Sequence, residues 1–138
     1  MMDENIRSLL VGMESGLPTT REVMEKAEAE LRIKLPDQYI DFMLESNGAE
    51  GNVGAKSYLA IWSAEQIVQL NEAYAVNDFT PGLVYFGSDG GGMAYAFDNR
   101  VEGIPPIVEF PFESIHVEDA KLCGNTFIEF LQNLYNRN

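Results

Sequence analysis

The chain is poor in the residues that carry most enzyme chemistry. It has one histidine, His116, and one cysteine, Cys123, in 138 residues. A lone cysteine excludes an internal disulfide, and nothing else in the composition calls for an oxidising compartment. A lone histidine leaves no imidazole pair for a metal and no obvious activator for the thiol. Bases are scarce too: nine Lys and Arg stand against 22 Asp and Glu, for a formal net charge of −13. A surface of that sign repels phosphate backbones and argues against nucleic acid as a partner. No apolar run approaches the ~20 residues of a membrane helix, so no membrane partner is expected. The opening Met1-Met2-Asp3-Glu4-Asn5 lacks the basic region and apolar run of a secretory signal, and the expected location is cytoplasmic.

What the chain has in quantity is apolar bulk and acid. Hydrophobic residues make up 46% and aromatics 11%, ample for the core of one domain of this length. No repeat, linker or low-complexity tract interrupts it, so 1–138 reads as a single domain. The acids are unevenly placed. From Ser57 to Ala120 there are ten (Glu65, Glu72, Asp78, Asp89, Asp98, Glu102, Glu109, Glu113, Glu118 and Asp119) against one base, Arg100. Such a region either keeps a small protein soluble or steers a basic partner toward it.

Local patterns place helices first. Asp3 to Met13 reads as a short opening helix. Thr19-Thr20-Arg21-Glu22 is a capping box, with Val23, Ala27 and Leu31 at fourfold spacing behind it and Glu22–Lys26 and Glu28–Arg32 as pairs on the wet side. Pro36 and Gly48 bracket a further helix, whose buried stripe is Tyr39, Phe42 and Met43 with Ile40 and Leu44 beside it. Ser63-Ala64-Glu65-Gln66 and Thr126-Phe127-Ile128-Glu129 open two more helices, the last burying Phe127, Ile128, Leu131, Leu134 and Tyr135. Strands are expected at Tyr58–Trp62, Leu83–Phe86, Met93–Phe97, Ile107–Phe110 and Ser114–Val117. In Met93–Phe97 bulky residues alternate with Ala94 and Ala96, leaving one face small enough for a close neighbour. Helices, then an antiparallel meander with flanking helices, then a closing helix make an α+β domain.

The motifs that suggest chemistry do not complete themselves. Gly87-Ser88-Asp89-Gly90-Gly91-Gly92 lacks the Lys-Ser/Thr and following helix of a phosphate loop; it reads as a hairpin turn with positive φ at several glycines. His116 alternates with Ile115 and Val117 in the pattern of a structural residue, and Cys123 has no histidine in its surroundings along the chain. Asp89 and Asp98 flank one hairpin. They stabilise turns or approach each other as ligands of one ion, but without the spaced oxygen set of a calcium loop. No catalytic, cofactor-binding or metal-binding residue is assigned.

Leu35-Pro36-Asp37-Gln38-Tyr39 followed by Asn47-Gly48, then Ala60-Ile61-Trp62-Ser63-Ala64-Glu65-Gln66-Ile67, then Asp89-Gly90-Gly91-Gly92 before Tyr95-Ala96-Phe97-Asp98, and finally Thr126-Phe127, occur in the order and spacing of one family. From about residue 20 to 135 the chain resembles the SUKH superfamily, which includes a fungal cell-wall-synthesis regulator and many bacterial immunity proteins. In place of the family's usual Ser-Phe helix opening this chain has Thr126-Phe127, an equivalent cap. The resemblance implies the α+β fold and a non-enzymatic protein-binding role, foremost the neutralisation of a cognate toxin such as a basic nuclease. A regulatory or scaffold module without a toxin partner is the alternative. The resemblance supplies no catalytic residues and no cofactor. The acidic region then nominates Glu65, Glu72, Asp78 and Asp89 as contacts for a basic protein partner: two on one helix face, one in the following loop, one at a hairpin tip.

Overall fold

The computed structural model describes residues 2–137, and four of its α-helices begin at a polar side chain that caps them. Asp3 accepts the Asn5 amide and opens α1 (Glu4–Leu9). That helix is shorter than the sequence suggests, because Met13 already belongs to an edge strand, β1 (Met13–Ser15). Thr20 rather than Thr19 caps α2 (Arg21–Leu31), its hydroxyl accepting the Val23 amide at 3.2 Å. Arg32 then turns left-handed, and the Leu35 amide donates to the Glu28 carboxylate at 2.8 Å. Glu28 is thereby drawn to the loop, with Lys34 at 3.8 Å, instead of pairing with Arg32. Pro36 is the N-cap of α3 (Asp37–Glu45). Gly48, at φ +93°, passes so close to β3 that a Cβ would lie 2.7 Å from the Ile61 carbonyl oxygen.

Seven strands pair antiparallel in chain order: β1, β2 (Ala49–Val53), β3 (Ser57–Ile61), β4 (Leu83–Ser88), β5 (Met93–Asp98), β6 (Ile107–Pro111) and β7 (Lys121–Gly124). Between β3 and β4 stand α4 (Ala64–Ala73) and the short α5 (Val76–Phe79); α6 (Phe127–Tyr135) closes the chain. This is the α+β meander expected, widened by three strands. β1 and β2 carry Glu14, Glu50 and Asn52 on their outward positions and little apolar bulk, so pairing with β3 rather than pattern makes them strands. Ser114–Val117, expected as a strand, is a turn leading into a 3-10 segment, Val117–Asp119. Its cause is local: the Ser114 hydroxyl accepts the His116 amide at 3.0 Å and donates to Asp119 at 2.6 Å, competing with any ladder. The glycine turn likewise needs less than expected, since only Gly90 in it has positive φ. Among the described residues no helix is long and apolar enough to cross a membrane.

Both faces of the sheet carry apolar clusters. On the inner face Leu59, Ile61, Val84, Phe86, Tyr95, Phe97 and Ile107 meet the helices. Tyr39 of α3 sits at the middle of that cluster with edge-on contacts to Phe86, Phe97 and Phe127 at 5.0–5.7 Å. From α6, Phe127, Phe130, Leu131 and Leu134 point inward, whereas Tyr135 is 49% exposed and Ile128 half-buried. Glu129, Gln132 and Asn133 share the opposite side, so the helix is amphipathic and its apolar arc faces the core. The outer face is smaller: Tyr85, Ala94, Ala96, Val108 and Phe110, with Val76 of α5 against it. The alternation of Ala94 and Ala96 thus does what the pattern implied, letting α5 and the β6–β7 loop close over the sheet.

The hydroxyl of Tyr39 is fully buried and has no hydrogen-bond partner among the described residues. Leu131→Ala is expected to cost ~2–5 kcal/mol, as for any well-packed core leucine. Tyr39→Phe, which removes only an unsatisfied polar atom, is expected to be neutral or stabilising by about 1 kcal/mol. Urea unfolding of both variants checks this; a destabilising Tyr39→Phe would mean that the hydroxyl has a partner.

Candidate acidic interface

β3 and β4 pair only at Ala60 with Ser88 and Ile61 with Gly87. Toward its N-terminus β4 therefore loses its strand neighbour in the middle of the sheet. A buried edge of that kind needs partners for its amides and carbonyls. Asn71 of α4 supplies them: its Nδ2 donates to the Tyr85 carbonyl at 2.8 Å and its Oδ1 accepts the Tyr85 amide at 2.9 Å. The Trp62 amide serves Phe86 in the same way, at 3.0 Å. Gly87 sits at the junction, where a Cβ would lie 2.4 Å from the Ala60 carbonyl oxygen. The result is a sheet whose open middle is sealed by a helix side chain, with α4 and α5 held beside the start of β4.

This arrangement leaves a groove of about 510 Å³ between the end of α2, the α4–α5 junction and the start of β4. Leu31, Val68, Val76, Leu83 and Val84 line it, together with Glu30, Glu72 and Asp78. Ala75, at its α4–α5 wall, is held in a left-handed conformation at φ +50°, a costly setting for a residue with a side chain. Of the four acids nominated from sequence, Glu72 and Asp78 are brought together here. Glu65 lies at the other end of α4, where its carboxylate accepts from Asn47 Nδ2 at 2.7 Å. The Asn47 Oδ1 in turn accepts the Ala64 amide at 2.8 Å, so the Asn47-Gly48 step fastens α3 to α4. Asp89 stands beyond the far end of β4, half-buried, accepting the Gly91 and Met93 amides at 2.8 and 3.1 Å. The four therefore do not form one cluster. Glu30 was missed, because it precedes the acid-rich stretch and only folding carries it to the groove.

Asp89 and Asp98 lie at opposite ends of β5 and cannot share an ion. Asp98 is buried and faces Arg100 through two bonds, Nε–Oδ1 at 2.8 Å and Nη2–Oδ2 at 2.9 Å, with the Arg100 amide at 3.1 Å. Its hydrogen bond to the Arg100 side chain holds the carboxyl below its ordinary range. The one base of the acidic region is thus committed to a carboxylate of the same chain, although its own side chain stays exposed. Outward on β1–β3 a second acidic place appears, where Glu14 stands directly opposite Glu50 and the Tyr58 hydroxyl donates to the Glu50 carboxylate. That bond, above all, raises the Tyr58 phenol.

His116 is exposed, with Nδ1 3.8 Å from the Glu118 carboxylate. Cys123 is buried, and desolvation pushes its thiol up to about 11, so it stays protonated near neutrality. Among the described residues no three His, Cys, Asp or Glu side chains are grouped to hold a metal. On the outer face Phe112 stacks against Trp62 and Tyr74, with centroids 6.4 and 4.9 Å away. Tyr74 remains 44% exposed, so an aromatic shelf adjoins the acidic surface.

The family model of the SMI1 / KNR4 family (SUKH-1) matches residues 18–133, most of the chain. The chain belongs to that family. No curated protein matches it. Within the SUKH-1 match fall the Pro36 helix, the Asn47-Gly48 clamp, the glycine turn and the Thr126 cap, all of which position backbone rather than reacting groups.

The Asp98–Arg100 pair gives a pH signature. A carboxyl with a lowered folded pKa contributes stability above its unfolded pKa, and that contribution is lost as pH falls through the folded value. Asp98→Asn is expected to cost about 1–2 kcal/mol at neutral pH, given a charged but partly solvated bond. The gap from the parent should close as pH falls below about 4. Thermal melts across pH check it; a gap that persists undiminished in acid would show that packing, not charge, carries the loss.

Proposed function

We propose that this SUKH-1 protein is a non-enzymatic binding domain that neutralises a cognate toxin, a basic protein such as a nuclease, by docking on it directly in the cytoplasm. The observation that carries this reading is electrostatic. Between Ser57 and Ala120 ten acids meet one base, and that base is already paired with Asp98. Of the other nine acids only Glu109 has a guanidinium or ammonium partner among the described residues, Arg137 at 3.0 Å, and a toxin that grips phosphates through a basic groove meets complementary potential there. Membership of a generally non-catalytic family and the buried, protonated Cys123 support binding over catalysis.

Glu65, Glu72, Asp78 and Asp89 remain the contact candidates, with unequal standing. Glu72 and Asp78 are exposed and, among the described residues, their carboxylates make no hydrogen bond or ion pair, so these groups are free to meet a partner. Glu65 and Asp89 also hold the fold through Asn47 and the turn amides. The second reading is a regulatory or scaffold module without a toxin partner. It is favoured by the exposed apolar residues Tyr74, Phe79, Ile115 and Leu122, which fit a less polar interface.

The test is the association rate with the C-terminal domain of a large secreted protein, sought in the genes beside this one. The rate should fall steeply with added salt, because charges beyond ~8–10 Å are screened at physiological ionic strength. Glu72→Lys combined with Glu65→Gln, which keeps an oxygen for Asn47, should slow it several-fold with the fold intact. His116→Ala should leave it unchanged. A rate that ignores salt and both acids would reduce the acidity to a solubility device; a loss in folded His116→Ala would reopen catalysis.

A further inference from the structure

The groove beside the α4–α5 junction has a composition that the rest of the acidic surface lacks. Its floor is apolar, from Leu31, Val68, Val76 and Leu83, while Glu30, Glu72 and Asp78 stand along it. Two of its three side-chain amides are used, Asn71 on Tyr85 and Ile67 and Asn99 on the Arg32 carbonyl; among the described residues that of Asn77 makes no hydrogen bond. Among the described residues the three carboxylates have no partner, and one cation, Arg32, shares the lining with them. Three acids against one base leave an excess of negative charge above an apolar surface. Only two natural side chains combine a long aliphatic stem with a cationic head, those of arginine and lysine. At about 510 Å³ the cavity falls within the range of ordinary binding pockets, and is open enough to admit a side chain from outside.

We propose that this groove receives an arginine or lysine side chain from an exposed segment of the basic partner, with its stem on Val68, Val76 and Leu83 and its cation among Glu30, Glu72 and Asp78. The proposal rests on the binding reading above and narrows it. Glu65 and Asp89 lie outside the anchoring point, and Glu30 enters it. Arg32 competes with the incoming cation, so replacing it strengthens binding. The occupant is a protein segment, since the charge complementarity extends beyond the groove over the acidic surface from Ser57 to Ala120.

A blocked tetra-arginine peptide, with tetra-glutamate as control, tests this by amide chemical-shift mapping at low salt on the full chain. Shifts should centre on Asn71, Val76, Gly82 and Asn99. Glu72→Lys with Asp78→Lys should weaken peptide binding about tenfold or more. Glu102→Lys with Glu113→Lys, the same change of net charge on exposed residues elsewhere, should weaken it far less. Arg32→Asn, chosen because asparagine tolerates the left-handed backbone there, should tighten it. Shifts centred on Glu14 and Glu50, equal losses in the two double variants, or weaker binding by Arg32→Asn would overturn the groove while leaving a basic partner in place. Absence of any arginine-peptide binding at low salt would overturn both the groove and the reading beneath it.

Discussion

The structure turns on how β4 is satisfied where β3 leaves it. A strand in the middle of a seven-stranded sheet exposes amides and carbonyls along half its length, and burying them unpaired would cost more than a single side-chain contact returns. The amide group of Asn71 resolves this by bonding both backbone groups of Tyr85. That bond fixes α4 against the sheet, and α4 in turn fixes the left-handed step at Ala75, the short α5 and the entry to β4. The acid-lined groove is what remains between these pieces and the end of α2. Placement of Glu72 and Asp78 is thus a consequence of backbone accounting in the sheet and not of any direct attraction between the acids.

The charge distribution adds the second constraint. Carboxylates near one another in a small domain repel, and a net charge of −13 is a standing load on stability. Glu14 and Glu50 even stand directly opposite one another across two strands, an arrangement that costs stability on its own. The protein offsets acid internally where the fold requires it: Asp98 with Arg100, Glu45 with Arg7 and Glu109 with Arg137 are such pairs. Elsewhere the negative charge is left facing water. With 22 acids against nine bases, three of them tied up in these pairs, the domain keeps a net negative outward field.

Much of the fold was legible because local chemistry and tertiary need agreed. Ser63 and Gln66 form the reciprocal cap that their spacing implies, and Met93 to Phe97 alternates as a strand with one small face. The failures share a different cause. β1, β2 and β7 are strands because a neighbour's edge was available, with little apolar pattern of their own. Ser114–Val117 has the pattern of a strand but is diverted by its own serine hydroxyl. Phe130 was legible too, lying three residues after Phe127 and four before Leu134 on the one apolar face of α6. The candidate site was half legible. The density of acid in one stretch of sequence pointed to Glu72 and Asp78, but Glu30 and the apolar floor come from elements distant along the chain and meet only through the fold.

The central claim is that the acidic surface around α4, α5 and the start of β4 is the binding face. Hydrogen exchange of the protein, free and saturated with the tetra-arginine peptide, tests this most directly. New protection is expected over residues 64–83, with smaller changes at the β4–β5 turn. Protection confined to the apolar cleft of about 470 Å³ between Leu35, Pro36, Ile104 and Phe127, with residues 64–83 unchanged, would contradict it.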